Sequence, residues 1–192
     1  MFITRLISGI LLVIAAIAVF HYGGILLSAV LCILSLIGCY EIYKVTKMEK
    51  HPIAVVGYLS TIAYYVLNSF GLEQWLMAEM ILFAIVSLIV FVARFPKDEF
   101  QTVAIGFFTV IYVSVLLACI YQTRQLNNGQ WLVWMILIGS WGSDTCAYAT
   151  GRLLGKHHFS ELSPKKTIEG CVGGVLGAAI IAYIFGCYFP DG

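Results

Sequence analysis

Long apolar runs alternate with short polar breaks along the whole chain. A helix needs about 20 mostly apolar residues to cross the hydrocarbon core of a bilayer, and seven runs approach that length. These runs cover residues 2–20, 25–40, 53–70, 75–93, 103–121, 131–150 and 171–189. The pattern predicts an all-α fold, a polytopic bundle of about seven transmembrane helices. Because no internal repeat or hinge-like segment interrupts it, residues 1–192 are expected to form a single integral membrane domain.

Positive charges indicate how these helices would be oriented. Of the 11 Lys and Arg residues, Arg5 lies near the N-terminus, nine lie in the second, fourth and sixth breaks, and Arg124 is the exception. Because positively charged loops stay in the cytoplasm, we expect a cytoplasmic N-terminus. The longest polar connection, residues 151–170, then also faces the cytoplasm, and it is where the chemistry should be sought.

Composition narrows the class of protein further. Hydrophobic residues make up 61% of the chain and charged residues only 11%, against about 25% charged residues in soluble domains. The formal net charge of +1 is too small for a nucleic-acid-binding surface. The six cysteines lie in or beside apolar runs without a CxxC pair, which argues against a disulfide framework or a zinc site.

Asp144 is the candidate functional carboxylate within an apolar run. An ionised group in a bilayer costs about 2.5–3.5 kcal/mol on insertion scales, so such a group usually has a partner or a function. A Mg²⁺ ion that bridges phosphates takes one or two carboxylates, and this role is open to Asp144. The structural alternative is a hydrogen bond to a nearby Ser or Thr, or a salt bridge to Arg152 two turns later.

Small residues recur at every fourth position in the last two runs. Positions four apart share one face of a helix, and small residues let helices approach closely in lipid. One seam comprises Gly139, Ser143, Ala147 and Gly151, and the other comprises Gly170, Gly174, Ala178 and Ala182. The seams predict that these two helices pack together around the connection between them, which brings Asp144 next to that connection.

The connection over residues 151–170 ends in a motif suited to phosphate. Lys165 and Lys166 are compact positive charges, and they stand directly before a helix whose first N–H groups could bind an anion. Paired lysines can equally mark the cytoplasmic side or contact anionic lipid, so both interpretations stay open at this point. His157 and His158 have no ligand-spaced partners, and we assign them no metal.

Two segments of the chain resemble a known family. Residues 143–157 have the sequence SDTCAYATGRLLGKH, and residues 163–170 have the sequence SPKKTIEG. Together they resemble the phosphatidate cytidylyltransferase (CDP-diacylglycerol synthase) family, whose pattern is Asp-Thr-x-Ala-Tyr, Gly-Arg and Gly-Lys followed by Ser-Pro-Lys-Lys-Thr-x-Glu-Gly. The multi-span layout before the motifs is similar too, so the resemblance covers essentially the whole chain.

The resemblance implies transfer of CMP from CTP to phosphatidic acid, with CDP-diacylglycerol and pyrophosphate as products and Mg²⁺ as the required metal. It implies that Asp144 is a metal-binding or catalytic carboxylate and that Lys165 and Lys166 are catalytic. The substrate-binding residues would be Arg152, Ser163, Lys165, Lys166, Thr167, Glu169 and Gly170. Such chemistry depends on charge neutralisation and in-line positioning, since the lipid phosphate itself attacks the α-phosphorus.

The expected partners and location combine this resemblance with the charge pattern described above. CTP and phosphatidic acid are the expected substrates, membrane lipids surround the protein, nucleic acid is not a partner, and a homodimer is a further expectation. We expect a bacterial plasma membrane, with the active site facing the cytoplasm.

The family's C-terminal signature, Pro-Gly-His-Gly-Gly followed by Asp-Arg-x-Asp, does not occur before Gly192. The chain is therefore expected to be the N-terminal portion of the family fold, with weak or no activity if it is complete as given.

A transporter or a non-catalytic membrane module is the competing interpretation. Transporters also place an ionisable residue in a glycine-interrupted helix, and Asp144 lies between Gly142 and Gly151. Against this interpretation, no inverted repeat is found, and the polar residues collect on one connection rather than at mid-membrane. A sister family of CTP-dependent lipid kinases is a further alternative.

Overall fold

Helices account for the regular structure of the part of the chain that the computed structural model describes, which is residues 2–158 and 163–188; in the first helix, side chains are described at positions 7 and 9 and from 11 onward. The α-helices are α1 (Phe2–Tyr22), α2 (Gly24–Val45), α3 (Pro52–Ser69), α4 (Leu76–Arg94), α5 (Phe100–Thr109), α6 (Leu116–Gln125), α7 (Gly129–Leu137), α8 (Ser143–Leu154) and α9 (Ile168–Tyr188). A 3₁₀ turn (Glu73–Trp75) precedes α4, and π-helical segments join α5 to α6 (Val110–Val115) and α7 to α8 (Ile138–Gly142). The all-α prediction is confirmed.

Four helical stretches of the described chain are long and apolar enough to cross a membrane. They are Gly24–Val45, Glu73–Arg94, Phe100–Gln125 and Ile168–Tyr188. Large apolar side chains on these stretches are exposed, among them Leu34, Ile89 and Val175. Such exposure is expected where lipid rather than water surrounds a helix. The chain is therefore an integral membrane protein.

The remaining three predicted runs also fall on helices. They correspond to α1, to α3 and to the continuous helix over residues 129–154, but these are not among the four stretches that length and hydropathy select from the described residues. The total of about seven spans stays a prediction.

Several helices continue past the apolar runs, because backbone hydrogen bonds hold polar residues in the helix where the apolar pattern has ended; α2 reaches Val45 and α6 reaches Gln125.

The chain divides into two compact units, Met1–Gln125 and Leu126–Gly192. The first contains α1 to α6 and the second contains α7 to α9. The expectation that residues 1–192 form a single membrane domain stays a prediction.

The core of the first unit lies among α2, α3 and α5. Its buried members are Cys39, Tyr43, Met48, Ile53, Ala54, Val103 and Val113. Pro52 begins α3 at the first helical position, where the N–H group that proline lacks would have no partner within the helix. Ile53 follows it and is completely buried, so the start of α3 is anchored in the core.

A buried hydrogen-bond network lies beside the first π-helical segment. The Oγ of Ser114 is 2.7 Å from the Oγ1 of Thr61, and the hydroxyl of Tyr65 donates to the carbonyl oxygen of Ser114 at 3.3 Å. The Oγ of Ser35 is 2.9 Å from the same tyrosine hydroxyl. Polar groups in an apolar interior need partners, and a π turn leaves a carbonyl open to a side chain. The network therefore links α2 and α3 to this π segment.

Arg124 has a structural partner at the end of α1. Its Nε donates to the carbonyl oxygen of Phe20 at 3.1 Å, and its Nη2 donates to that of His21 at 3.3 Å. The last carbonyls of a helix lack partners within the helix, and cations there also interact favourably with the helix dipole. Arg124 is the positive charge that lies outside the breaks predicted to face the cytoplasm, and its role in the structure is to cap α1.

The connections before α3 and after α4 are joined by a small charged cluster. Asp98 Oδ2 lies 2.7 Å from Arg94 Nε and 2.8 Å from His51 Nε2. The other ring nitrogen of His51 accepts the backbone N–H of Ile53, so Nε2 carries the hydrogen that Asp98 accepts. Asp98 is 7% exposed, and it holds the start of α3 against the end of α4.

Candidate functional site

The close packing of α8 against α9 forms the framework of the site. A Cβ built on Gly174 would lie 2.9 Å from the Cβ of Ala147 and 3.0 Å from the carbonyl oxygen of Ser143. One built on Gly170 would lie 3.2 Å from the Cα of Gly151. Real Cβ atoms essentially never approach to 2.9 Å, and contacts of 3.0–3.2 Å would force the neighbouring backbone to move, so glycine at these positions permits the close approach. The predicted contact between the two helices is confirmed.

The sequence pattern did not identify every residue of this contact. Gly173 faces Thr150 and Gly177 faces Cys146 so closely that neither glycine could carry a side chain without displacing its neighbour. The two glycines are four residues apart, so their spacing was the available signal. By contrast, apart from its chain neighbours and the nearby backbone of its own helix, no described heavy atom lies within 4 Å of a Cβ built on Gly139, which places the start of the predicted seam outside the contact.

The connection between the helices is shorter than the predicted loop of residues 151–170. The helix α8 continues to Leu154, and α9 begins at Ile168. Thr167 is buried where the connection returns to α8, and its side chain would meet a Cβ built on Gly155 at 2.7 Å. The backbone N–H of Gly155 donates to the carbonyl oxygen of Gly151 at 3.1 Å. A glycine at position 155 is thus needed for the chain to leave α8 past Thr167.

Thr167 caps α9. Its Oγ1 accepts the N–H of Gly170 at 3.2 Å, and its carbonyl oxygen accepts the N–H of Cys171 at 3.0 Å. The N–H of Ile168 donates to the carbonyl oxygen of His157 at 2.9 Å. The expectation that the first N–H groups of this helix are free for an anion is therefore wrong for Ile168 and Gly170, because the protein uses them itself.

Glu169 ties the start of α9 to the residues that follow α8. Its Oε2 accepts the N–H groups of Lys156 and His157 at 3.1 and 3.2 Å. Its Oε1 lies 2.6 Å from Nδ1 of His157. Both carboxylate oxygens are thus occupied within the protein. The sequence reasoning missed this pairing, since the two residues are 12 positions apart and only the fold brings them together.

The cationic residues of the connection are open to the surroundings. Lys165 and Lys166 are exposed, and the N–H of Lys166 donates to the carbonyl oxygen of Ser163, a half-buried residue, at 3.0 Å. Arg152 is exposed and donates from Nη1 to the hydroxyl of Tyr148 at 3.2 Å. Within the described residues, none of these three cations forms an ion pair. Their charges are available to an anionic ligand.

Asp144 stands in the first turn of α8, just after the second π-helical segment. Its side chain is exposed, and no described residue hydrogen-bonds to it or forms a salt bridge with it. The alternative salt bridge to Arg152 is therefore absent from the described part of the chain. Single π turns inside α-helices are frequent at functional sites. Seven positions separate Asp144 from Gly151, which places it about 10 Å along α8 from the contact with Thr167.

The donor set fits Mg²⁺ only in part. No group of three His, Cys, Asp or Glu side chains comes together within the described residues. A Mg²⁺ ion bound with phosphates takes one or two carboxylates and keeps several waters, and Asp144 offers two free oxygens. Both oxygens of Glu169 already accept hydrogen bonds within the protein, which makes Glu169 the poorer candidate ligand. Asp144 is the carboxylate of the described site that could hold such an ion.

Comparison with known proteins assigns the family. A family model described as the cytidylyltransferase family matches residues 3–192. The chain belongs to this family. It is 25% identical over 192 residues to the phosphatidate cytidylyltransferase of Bacillus subtilis (strain 168), covering 94% of this chain and 70% of that protein. It is 27% identical over 195 residues to that of Staphylococcus haemolyticus (strain JCSC1435), with coverages of 97% and 72%. The resemblance inferred from the two motifs is confirmed.

Proposed function

We propose that the chain transfers CMP from CTP to phosphatidic acid, forming CDP-diacylglycerol and pyrophosphate. One structural observation supports this most: the exposed Lys165 and Lys166 lie, without carboxylate partners in the described chain, on the connection that α8 and α9 hold in place. This arrangement suits a ligand rich in phosphate. The names of the similar proteins supply the reaction and both substrates.

The residues have separate tasks in this reaction. An oxygen of the phosphatidate phosphate attacks the α-phosphorus of CTP, the bond from that phosphorus to the bridging oxygen breaks, and pyrophosphate leaves with the electron pair. Lys165 and Lys166 hold phosphate oxygens and offset the negative charge that collects during the transfer. Arg152 is placed to bind a further phosphate oxygen.

Asp144 would hold Mg²⁺, which when bound neutralises phosphate charge. The close contacts of Gly170 with Gly151 and of Thr167 with Gly155 fix the connection relative to α8. Fixed positions matter because orienting reactants accounts for a large share of the barrier in such transfers. Ser163, Thr167, Glu169 and Gly170 contribute mainly by shaping the connection in this proposal, whereas the lysines meet the substrate.

The membrane arrangement that goes with this function has about seven crossings. The N-terminus and the connection between α8 and α9 face the cytoplasm, where CTP is found, and the membrane is a bacterial plasma membrane. The distribution of Lys and Arg supports this orientation, and the bacterial relatives support the location. A homodimer is also part of this proposal.

Transfer of label from nucleotide to lipid tests the proposal. The whole product of the gene is placed in vesicles containing phosphatidic acid, and CTP labelled at the α-phosphate is added with Mg²⁺. We expect labelled CDP-diacylglycerol and release of unlabelled pyrophosphate, both abolished by a chelator. CTP labelled at the γ-phosphate is the matched control, since a cytidylyltransferase leaves the lipid unlabelled and a lipid kinase labels it. A transporter labels no lipid from either nucleotide, and that result would overturn the proposal.

A further inference from the structure

The contact between His157 and Glu169 determines which nitrogen of the imidazole ring carries the hydrogen. An ionised carboxylate only accepts hydrogen bonds, so Nδ1 of His157 must carry the hydrogen in its 2.6 Å contact with Glu169. Nε2 is then the nitrogen left for another partner. The side chain is 74% exposed, and no described residue bonds to Nε2.

Glu169 also fixes the position of the ring. Its other oxygen accepts the backbone N–H groups of Lys156 and His157, so one carboxylate holds both the ring and the backbone that carries it. The N–H of Ile168 donates to the carbonyl oxygen of His157, and a bridge joins His158 to Thr167. The ring is therefore held on the connection rather than free on a loose loop.

The surroundings of His157 are cationic. Lys156 precedes it in the chain, and the bridge sets this segment beside the one that follows Lys165 and Lys166. Glu169, in the first turn of α9, is the acidic residue beside this segment within the described part, and its oxygens are already hydrogen-bonded; Glu161 lies outside the described residues. An exposed Nε2 among ammonium groups suits a phosphate oxygen, because a protonated imidazole donates from both nitrogens.

We propose that His157 is a further substrate-binding residue of the site, with Nε2 of its imidazolium donating a hydrogen bond to a phosphate oxygen, and that Glu169 is a positioning residue that acts through His157. The identity of the phosphate, that of CTP or that of the phosphatidate headgroup, rests on the proposed function. Recognition of a phosphate oxyanion by Nε2 does not depend on that function. Glu169 was expected to bind substrate itself, and its role here is instead to orient the group that does.

The substitution His157→Asn distinguishes the roles of the two ring nitrogens. The amide nitrogen of His157→Asn can replace Nδ1 in the bond to Glu169, but nothing in that variant replaces Nε2. His158→Asn is the matched control, because His158 is the neighbouring exposed histidine and its recorded pairing with Thr167 is through the backbone. A charge-assisted hydrogen bond corresponds to roughly a ten- to hundredfold change in affinity. We expect a loss of that size in His157→Asn and none in His158→Asn.

Binding and turnover are measured on the purified chain in lipid nanodiscs. Isothermal titration with inorganic pyrophosphate gives affinity without any reaction, and steady-state assays give KM separately for CTP and phosphatidic acid. A raised KM for CTP alone assigns Nε2 to the nucleotide, and a raised KM for phosphatidic acid alone assigns it to the headgroup. Glu169→Gln should weaken pyrophosphate binding in the wild-type background and have little further effect in His157→Asn, as expected for a residue acting through the ring.

The pH dependence of pyrophosphate affinity distinguishes a phosphate-binding role of His157 from a purely structural one, which would leave that dependence unchanged. The ratio of wild-type to His157→Asn affinities should fall as pH rises and the imidazolium loses its proton. Pyrophosphate and the three lysines at 156, 165 and 166 are common to both proteins, and the comparison is made above about pH 5, where a glutamate carboxyl is ionised with or without a histidine partner. A constant ratio would overturn the proposal.

The outcomes keep this inference distinct from the proposed function. Absence of any CMP transfer by the wild-type protein, with pyrophosphate binding that still depends on His157, would reject the proposed function and support the inference. Wild-type binding and wild-type KM values in His157→Asn would overturn the inference while leaving the proposed function intact. Ring nitrogen resonances of His157 in the wild-type protein should also shift when pyrophosphate is added, and unchanged resonances at saturation would contradict a bond to Nε2.

Discussion

Gly174 of α9 faces Ala147 of α8 so closely that a Cβ on the glycine would lie 2.9 Å from the alanine Cβ. Nothing larger than hydrogen fits at position 174 opposite the alanine methyl group. In lipid, where apolar burial does not drive helices together, such close approach is a main source of helix association. The contact holds α8, with Asp144, against the helix that follows the lysine-bearing connection.

Valine at position 174 should separate the two helices. Forcing extra atoms into a packed interface costs typically 1–3 kcal/mol, so Gly174→Val should lower the midpoint of thermal unfolding in detergent and reduce CMP transfer. Gly186→Val is the matched control, since it makes the same substitution on the same helix at a position where, apart from its chain neighbours and the nearby helix backbone, no described heavy atom lies within 4 Å of the built Cβ. Equal unfolding midpoints for the two variants would contradict a packing role for Gly174.

Regular spacing made the helix contact predictable from the sequence. Small residues at every fourth position located the contact at Ser143, Ala147 and Gly151 of α8 and at Gly170 and Gly174 of α9, because the spacing reflects the helix repeat itself. The second row, Gly173 and Gly177, has the same spacing but was overlooked beside the first. The apolar runs likewise located the helices, although their ends extend beyond the runs because helical hydrogen bonding does not stop where hydrophobicity does.

Pairings between distant residues could not be predicted. The bond between His157 and Glu169 depends on how the connection turns, and no periodicity records that turn. The same holds for Arg124, whose partners are backbone carbonyls about 100 positions earlier in the chain. The motif identified the residues of the site, but it did not distinguish those that meet a ligand from those that hold other residues in place.

Lys165 and Lys166 are the residues expected to bind phosphate most directly. Lys165→Ala and Lys166→Ala should each lower CMP transfer roughly ten- to hundredfold, the equivalent of one charge-assisted hydrogen bond. Both side chains are exposed, so membrane insertion and thermal stability should not change. Lys97→Ala, which removes an exposed lysine from the first unit, should behave as the wild type. Full turnover in both motif variants would exclude the connection from the active site.

Asp144 should determine the metal dependence of the reaction. Asparagine keeps the size of the side chain but removes the charge that attracts Mg²⁺, so Asp144→Asn should lower turnover at least about a hundredfold and raise the Mg²⁺ concentration needed for half-maximal rate. Thr145→Val is the control, because that neighbouring hydroxyl donates to the Trp141 carbonyl within the same helix. An unchanged Mg²⁺ requirement in Asp144→Asn would remove this carboxylate from the metal site.

Removal of the Arg124 side chain should loosen the end of α1. Its guanidinium satisfies two carbonyl oxygens there, and because it is half-buried we expect Arg124→Ala to cost about 1–2 kcal/mol. Hydrogen exchange at the last turn of α1 should increase, while exchange in α9 stays the same. Gln125→Ala, beside it on α6, removes a hydrogen bond to Tyr121 and provides the comparison. Unaltered exchange at residues 20–22 in Arg124→Ala would show that the cap is dispensable.

Acidification should break the ionic contacts of Asp98 with His51 and Arg94, which join the start of α3 to the end of α4. The hydrogen bond from Arg94, together with the charges of Arg94 and His51, lowers the pKa of Asp98 below its ordinary value of 3.8. A lowered carboxyl pKa stabilises the folded state above the unfolded pKa, and this stabilisation is lost as pH falls through the folded pKa. At pH 7, Asp98→Asn should therefore unfold at a lower temperature than the wild type. The difference should shrink progressively below about pH 4. Glu99→Gln, a neutralised exposed neighbour, should show no such dependence, and a difference between Asp98→Asn and wild type that persists unchanged to pH 2 would contradict an ionic role for Asp98.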